Sequence, residues 1–216
     1  MKILAIQNRM GIGDMVIFLP YIEAIAKKFK SNITILAKEN TKADQLTKEN
    51  KYINRIIILR RSNSKKDYHD GFAGFFKLAS DLKKHNFDKA IIFNSSLRYN
   101  LVCKLAGIKE IYQYPLFRKK NQHITEPANN LIKENFKLIA PGDPKININE
   151  KDLSHVRKKF NFENNSINIL LGIGGSGPTK RIPPDKFIKL IDLCIKDFNC
   201  RFFLATGNNK EELGIM

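Results

Sequence analysis

Short runs of branched aliphatic residues alternate with longer segments in which apolar residues recur every three or four positions, from one end of the chain to the other. Runs of the first kind read as buried strands, and spacing of the second kind as helices with one apolar stripe. Strands are expected at residues 2–7, 32–37, 55–59, 89–93 and 110–113. Helices are expected at 14–29, 41–46, 71–85, 97–106 and 126–136, the first carrying Ile17, Tyr21, Ala24, Ile25 and Phe29 on one stripe. Strand-helix alternation of this kind winds βα units about a parallel sheet, so the class is α/β.

The pattern pauses at 139–150, where Pro141, Gly142, Asp143 and Pro144 read as an interdomain linker. It then resumes with a helix at 150–160, a strand at 167–171, a helix at 184–198 and a strand at 201–205. The expected organisation is a Rossmann-like domain over 1–138, the linker, and the first part of a second Rossmann-like domain over 151–216. Two strands alone leave edges and a flank of a parallel sheet uncovered, which marks the second domain as incomplete.

Composition adds constraints. No apolar run approaches the ~18 residues that span a bilayer. The apolar start is short and leads into Asn8, Arg9 and Gly11, so it reads as a first strand in a cytoplasmic protein and not as a signal peptide. Cys103, Cys194 and Cys200 have neither the spacing of a metal or redox pair nor the even number of a disulfide framework, and are expected as buried thiols. The net charge of +17 fits an anionic partner, such as a phosphorylated substrate or lipid surface, and equally a Lys-, Asn- and Ile-rich composition of no functional meaning. With no Trp and no helix-turn-helix or RNP-like motif, a nucleic-acid partner is not expected.

Two glycine-rich turns carry candidate chemistry. The first, Asn8 to Asp14, joins the first strand to the first helix, the end of a parallel sheet where ligands bind. Gly11 and Gly13 let the backbone turn tightly, but the third glycine of a dinucleotide fingerprint is replaced by Val16. Asp14 falls at the start of the helix, where capping and chemistry are both open readings. The second turn, Gly172 to Arg181, also follows a strand. Gly174 and Gly175 expose backbone amides, Ser176 and Thr179 add hydroxyls, and Lys180 adds a cation, which together suit a diphosphate. Pro178 stands where a P-loop requires Lys-Ser/Thr, so nucleotide hydrolysis is not indicated.

At these residues the chain resembles glycosyltransferase family 9, the ADP-heptose:lipopolysaccharide heptosyltransferases. The resemblance rests on Gly11-Ile12-Gly13-Asp14-Met15-Val16 with Leu19-Pro20, on Phe93 to Arg98 continuing to Leu105-Ala106-Gly107, on the segment from His123 to Leu131, and on Gly175 to Pro184 with Thr179-Lys180-Arg181. It implies a GT-B fold of two Rossmann-like domains, acceptor in the first and nucleotide-sugar donor in the second. It implies that Asp14 is the catalytic base of an inverting transfer, that Gly174, Gly175, Ser176, Thr179 and Lys180 hold the donor phosphates, and that no metal or other cofactor is needed. Gly11, Gly13, Arg60 and Arg98, with Arg61, then become candidates for holding an anionic, lipid-linked oligosaccharide acceptor at the inner membrane surface. The family's pattern continues well beyond position 216, which leaves a second reading open: a non-catalytic remnant, or a binding module for an anionic glycolipid or nucleotide.

Overall fold

A computed structural model of the chain describes residues 1–9, 11–61, 68–116, 122–162, 165–174 and 182–207. It divides into two compact units, Met1–Asn149 and Glu150–Met216. The segment read as a linker thus groups with the first unit, to which Asn149 is tied by a 3.1 Å hydrogen bond to Glu49.

The first unit holds a five-stranded parallel sheet of β1 (Ile3–Gln7), β2 (Ile33–Ala37), β3 (Ile53–Ile58), β4 (Lys89–Ile92) and β5 (Glu110–Gln113), in spatial order β3-β2-β1-β4-β5. β1 and β2 are buried along their whole length because they lie inside the sheet with both faces covered, and this is why they read as unbroken apolar runs. Alternate residues serve opposite faces. Ile3 and Ala5 join a core with Phe18, Ile22 and Ile25 of α1 (Ile12–Phe29) and with Leu131 and Ile132 of α5 (Glu126–Phe136). Leu4 and Ile6 join a second core with Leu78 and Leu82 of α3 (Gly71–Lys83) and Tyr99 and Val102 of α4 (Leu97–Leu105).

The expected helix at 41–46 is instead a 3-10 turn, Glu39–Thr41, and a one-turn helix, α2 (Ala43–Leu46), separated by Lys42 in the left-handed region at φ 50°. The remaining elements stand where the periodicity put them, with ends shifted by one or two residues. Pro20 sits within α1, where it removes the backbone bond to the Val16 carbonyl, yet the helix continues under a buried stripe from Met15 to Ala26. Gly74 is required by close packing: a Cβ there would lie 2.2 Å from the backbone carbon of His69.

The second unit contains α6 (Glu150–Phe160), β6 (Ile167–Gly172), α7 (Pro184–Asp197) and β7 (Cys200–Ala205), with β6 and β7 paired in parallel. Neither α6 nor α7 has a buried residue, and Leu170 on β6 is 70% exposed. Of the three cysteines, only Cys103 is buried, which pushes its thiol up to about 12, whereas Cys194 and Cys200 are half-exposed on this sparsely covered unit. Among the described residues, no helix is long and apolar enough to cross a membrane.

Candidate functional site

In the first unit the winding direction reverses between β1 and β4: β2 and β3 lie to one side of β1, and β4 and β5 to the other. Loops leaving the carboxyl ends of strands at such a reversal diverge and open a crevice. Side-chain amides fix the loop ends here. Asn94, after β4, donates to Asn8, after β1, at 2.9 Å, and accepts from the Ser96 amide at 2.6 Å. Gln113, closing β5, donates to the carbonyls of Asn94 and Ser96 at 2.9 Å each. Gln7, 1% exposed, accepts from the Arg9 amide at 2.6 Å, and its own Nε2 is buried with no partner among the described residues. Asn8, Asn94 and Gln113 thus tie together the ends of β1, β4 and β5.

Into this crevice α1 presents a bare amino end. Its cap position is Gly11, at φ 130° and ψ 153°, a conformation open to glycine, and no side chain caps the helix. Gly13 lies in the first turn with open space where a Cβ would stand, so it is not needed for the turn; what it contributes is an unobstructed surface over the amides of that turn. Asp14 follows. It is 23% exposed, and its Oδ1 lies 3.6 Å from Nη1 of Arg9, an ion pair without a hydrogen bond. Asp14 is therefore not the cap of α1. It is an accessible carboxylate at the positive end of a helix, with one cation beside it.

The three arginines named from the sequence have different surroundings. Arg98 donates to the carbonyls of His69 at 2.8 Å and Gly71 at 3.1 Å, with its guanidinium 5.4 Å from the Phe75 ring centroid, so it clamps the start of α3. Burial, and then the charge of Arg61, lower its pKa. Arg61 donates to Asp70 at 3.1 Å and to the Tyr99 hydroxyl at 3.4 Å. Burial acts to lower its pKa, but those two bonds raise it overall. Arg60 is exposed beyond β3, two strands from β1 and so roughly 10 Å from the reversal.

Behind Arg60, His69 is buried, accepts the Arg60 amide on Nδ1 at 3.1 Å and therefore carries its proton on Nε2, which faces Asp81 at 3.3 Å. Burial depresses the His69 pKa even against the pull of Asp81.

Sequence reading passed over Arg9, although it lies in the same turn as Asp14. It also passed over Asn8, Asn94 and Gln113, whose meeting depends on the strand order and not on any spacing along the chain.

In the second unit β6 ends in a short extension. The Ile173 amide donates to the Ala205 carbonyl at 3.0 Å, Ile173 is buried, and Gly174 is half-buried at the carboxyl end of the strand. Gly175, Ser176, Thr179 and Lys180, the remaining candidate phosphate ligands, lie outside the described residues. Among the described residues, no group of three His, Cys, Asp or Glu side chains is placed to hold a metal ion.

No protein-family model matches the chain. Among curated proteins, lipopolysaccharide heptosyltransferase 1 of Campylobacter coli is 24% identical over 234 aligned positions, which cover 98% of this chain and 66% of that protein. The chain thus spans about two thirds of the length of that relative. Among solved structures, the glycosyl transferase family 9 protein of Veillonella parvula superposes with a TM-score of 0.68 at 18% identity, over 99% of this chain and 71% of that one. Escherichia coli heptosyltransferase WaaC with ADP-2-deoxy-2-fluoro heptose superposes with a TM-score of 0.69 at 15% identity, over 100% and 71% of the two chains. In fold the chain is of the GT-B heptosyltransferase type, and along 98% of its length its sequence is similar to a lipopolysaccharide heptosyltransferase.

Proposed function

We propose that the chain provides the acceptor side, and part of the donor side, of a glycosyltransferase that moves a heptose or related sugar from a nucleoside-diphosphate sugar to a lipopolysaccharide-core acceptor. The observation that carries this reading is the accessible Asp14 carboxylate at the uncapped start of α1, in the crevice where the sheet reverses. The likeness to a lipopolysaccharide heptosyltransferase, and to WaaC with an ADP-heptose analogue, supports the choice of donor and acceptor.

In the proposed reaction Asp14 takes the proton of an acceptor hydroxyl as its oxygen attacks the anomeric carbon. The bond from that carbon to the phosphate oxygen breaks on the opposite face, and its electron pair leaves on the nucleoside diphosphate, inverting the centre. Arg9, 3.6 Å away, keeps Asp14 turned into the crevice. The first-turn amides beside Gly13 receive acceptor oxygens, and exposed Arg60 meets outlying anionic groups. Lys180, with Ser176, Thr179 and the amides of Gly174 and Gly175, offsets charge developing on the departing diphosphate, a role that needs no metal.

The test is transfer from ADP-heptose to a lipopolysaccharide-core acceptor. Asp14→Asn is expected to lower turnover by about 10²–10⁴-fold, the usual worth of a positioned base, with little change in donor binding. Unchanged turnover would remove Asp14 from the mechanism. Stabilisation by ADP-heptose without any product from the wild-type chain would identify a binding module instead.

A further inference from the structure

α3 and α4 lie side by side on one face of the five-stranded sheet, and each buries a stripe: Leu78 and Leu82 from α3, Val102 and Cys103 from α4. The far side of such a helix is ordinarily polar. Here it is not. Phe72 and Phe76, one turn apart, are 81% and 49% exposed, with ring centroids 5.0 Å apart. On α4, Leu97, Leu101 and Leu105, also one turn apart, are each about half exposed. The contact between Arg98 and Phe75 marks where the two helices face each other. At 100° per residue, Phe72 and Phe76 lie on the α4 side of α3, and Leu101 and Leu105 on the α3 side of α4, so the stripes adjoin. Single exposed leucines are ordinary, but a joined aromatic and aliphatic strip on two helices marks an interaction surface.

The charge of this face selects its partner. Lys83 and Lys104 are exposed at its margins, and α4 carries no carboxylate. The one carboxylate of α3, Asp81, is held by His69 and Lys84. A second copy would set like charges against each other on a chain of net charge +17. We propose that this face rests on an anionic lipid bilayer, with Phe72, Phe76, Leu101 and Leu105 entering the boundary between headgroups and acyl chains and Lys83 and Lys104 meeting lipid phosphates. The placement depends on the glycosyltransferase reading only for its purpose, which is to bring the crevice to a lipid-linked acceptor. Phe72 and Leu97 stand in the first turns of their helices, at the same end of the sheet as Asp14.

Co-sedimentation of the full chain with vesicles, without any sugar present, tests the surface. Binding is expected to vesicles of phosphatidylcholine mixed with phosphatidylglycerol, and to be much weaker with phosphatidylcholine alone. Lys83→Gln and Lys104→Gln are each expected to weaken it about fivefold, and the double variant F72S/L101S at least about tenfold, with circular dichroism and melting temperature unchanged because all four side chains are exposed. The proposal fails if the wild-type chain ignores the mixed vesicles or if F72S/L101S binds them equally well. It fails also if the wild-type chain is a dimer that F72S/L101S makes monomeric, which would assign the face to a second copy. Intact vesicle binding with no sugar transfer would count against the glycosyltransferase reading and leave this surface standing.

Discussion

At the scale of single residues, two positions separate chemistry from folding. Gly13 has open space around it and helical backbone, so Gly13→Ala removes a glycine from a helix and is expected to raise stability by about 0.5–1 kcal/mol in denaturant melts. The added methyl covers the first-turn amides, so the same variant is expected to transfer sugar at least several-fold more slowly. Equal activity with higher stability would deny the bare helix end any role in acceptor binding. His69 offers a pH signature. Its folded pKa is depressed, so the unfolded chain binds the proton more readily. The stability His69 contributes is fully present above about pH 6.5 and is lost as pH falls from there through its lowered folded value. A His69→Gln variant is therefore expected to be less stable than wild type at neutral pH, with the gap in melting temperature narrowing below about pH 6.5. Asp14 was legible in the sequence as a residue, although whether it capped α1 was not. The capping position had to be located first, and it belongs to Gly11, two residues earlier than the apolar stripe suggested.

At the scale of elements, periodicity located the strands and the longer helices among the described residues, because the central strands are buried on both faces and the longer helices of the first unit bury clear stripes. It also placed the ends of α1 and α5 at Phe29 and Phe136, but not the conformation that closes them. α1 and α5 end on lysines, Lys30 and Lys137, held in the left-handed region at φ 48° and 56°. Glycine is the residue that ordinarily marks such an end. A lysine there bears the strain of a Cβ in that conformation, so Lys30→Gly and Lys137→Gly are each expected to raise unfolding free energy by roughly 1 kcal/mol, additively, since the sites are on different helices. The crevice was harder to read than the elements around it. Asn8, Asn94 and Gln113 come from three strands far apart in sequence, and only the order β1-β4-β5 brings them together. Arg98 was hard to read for a related reason: it looks like a surface cation until the start of α3 and the turn before it supply two carbonyls that engage it.

At the scale of the molecule, the two units differ in how much they bury. The first has two apolar cores, one on each face of its sheet, while Leu171 and Ile173 are the buried hydrophobic residues among those described in the second. Local stability follows buried apolar contact. Hydrogen exchange of the chain is accordingly expected to show β1, β2 and β4 protected to the level of global unfolding, and β6, β7 and α7 exchanging orders of magnitude faster. Equal protection would mean that the second unit gains stability from contacts other than apolar burial. Strand order also sets a timetable for synthesis. β1 joins β2 early, but its other edge must wait for β4, with Ile3 pairing to Lys89. Until that residue clears the ribosome, the nascent β1 exposes an edge of unpaired backbone N–H and C=O groups flanked by the apolar side chains of Ile3 to Ile6, and this window is when the newborn chain most needs a chaperone.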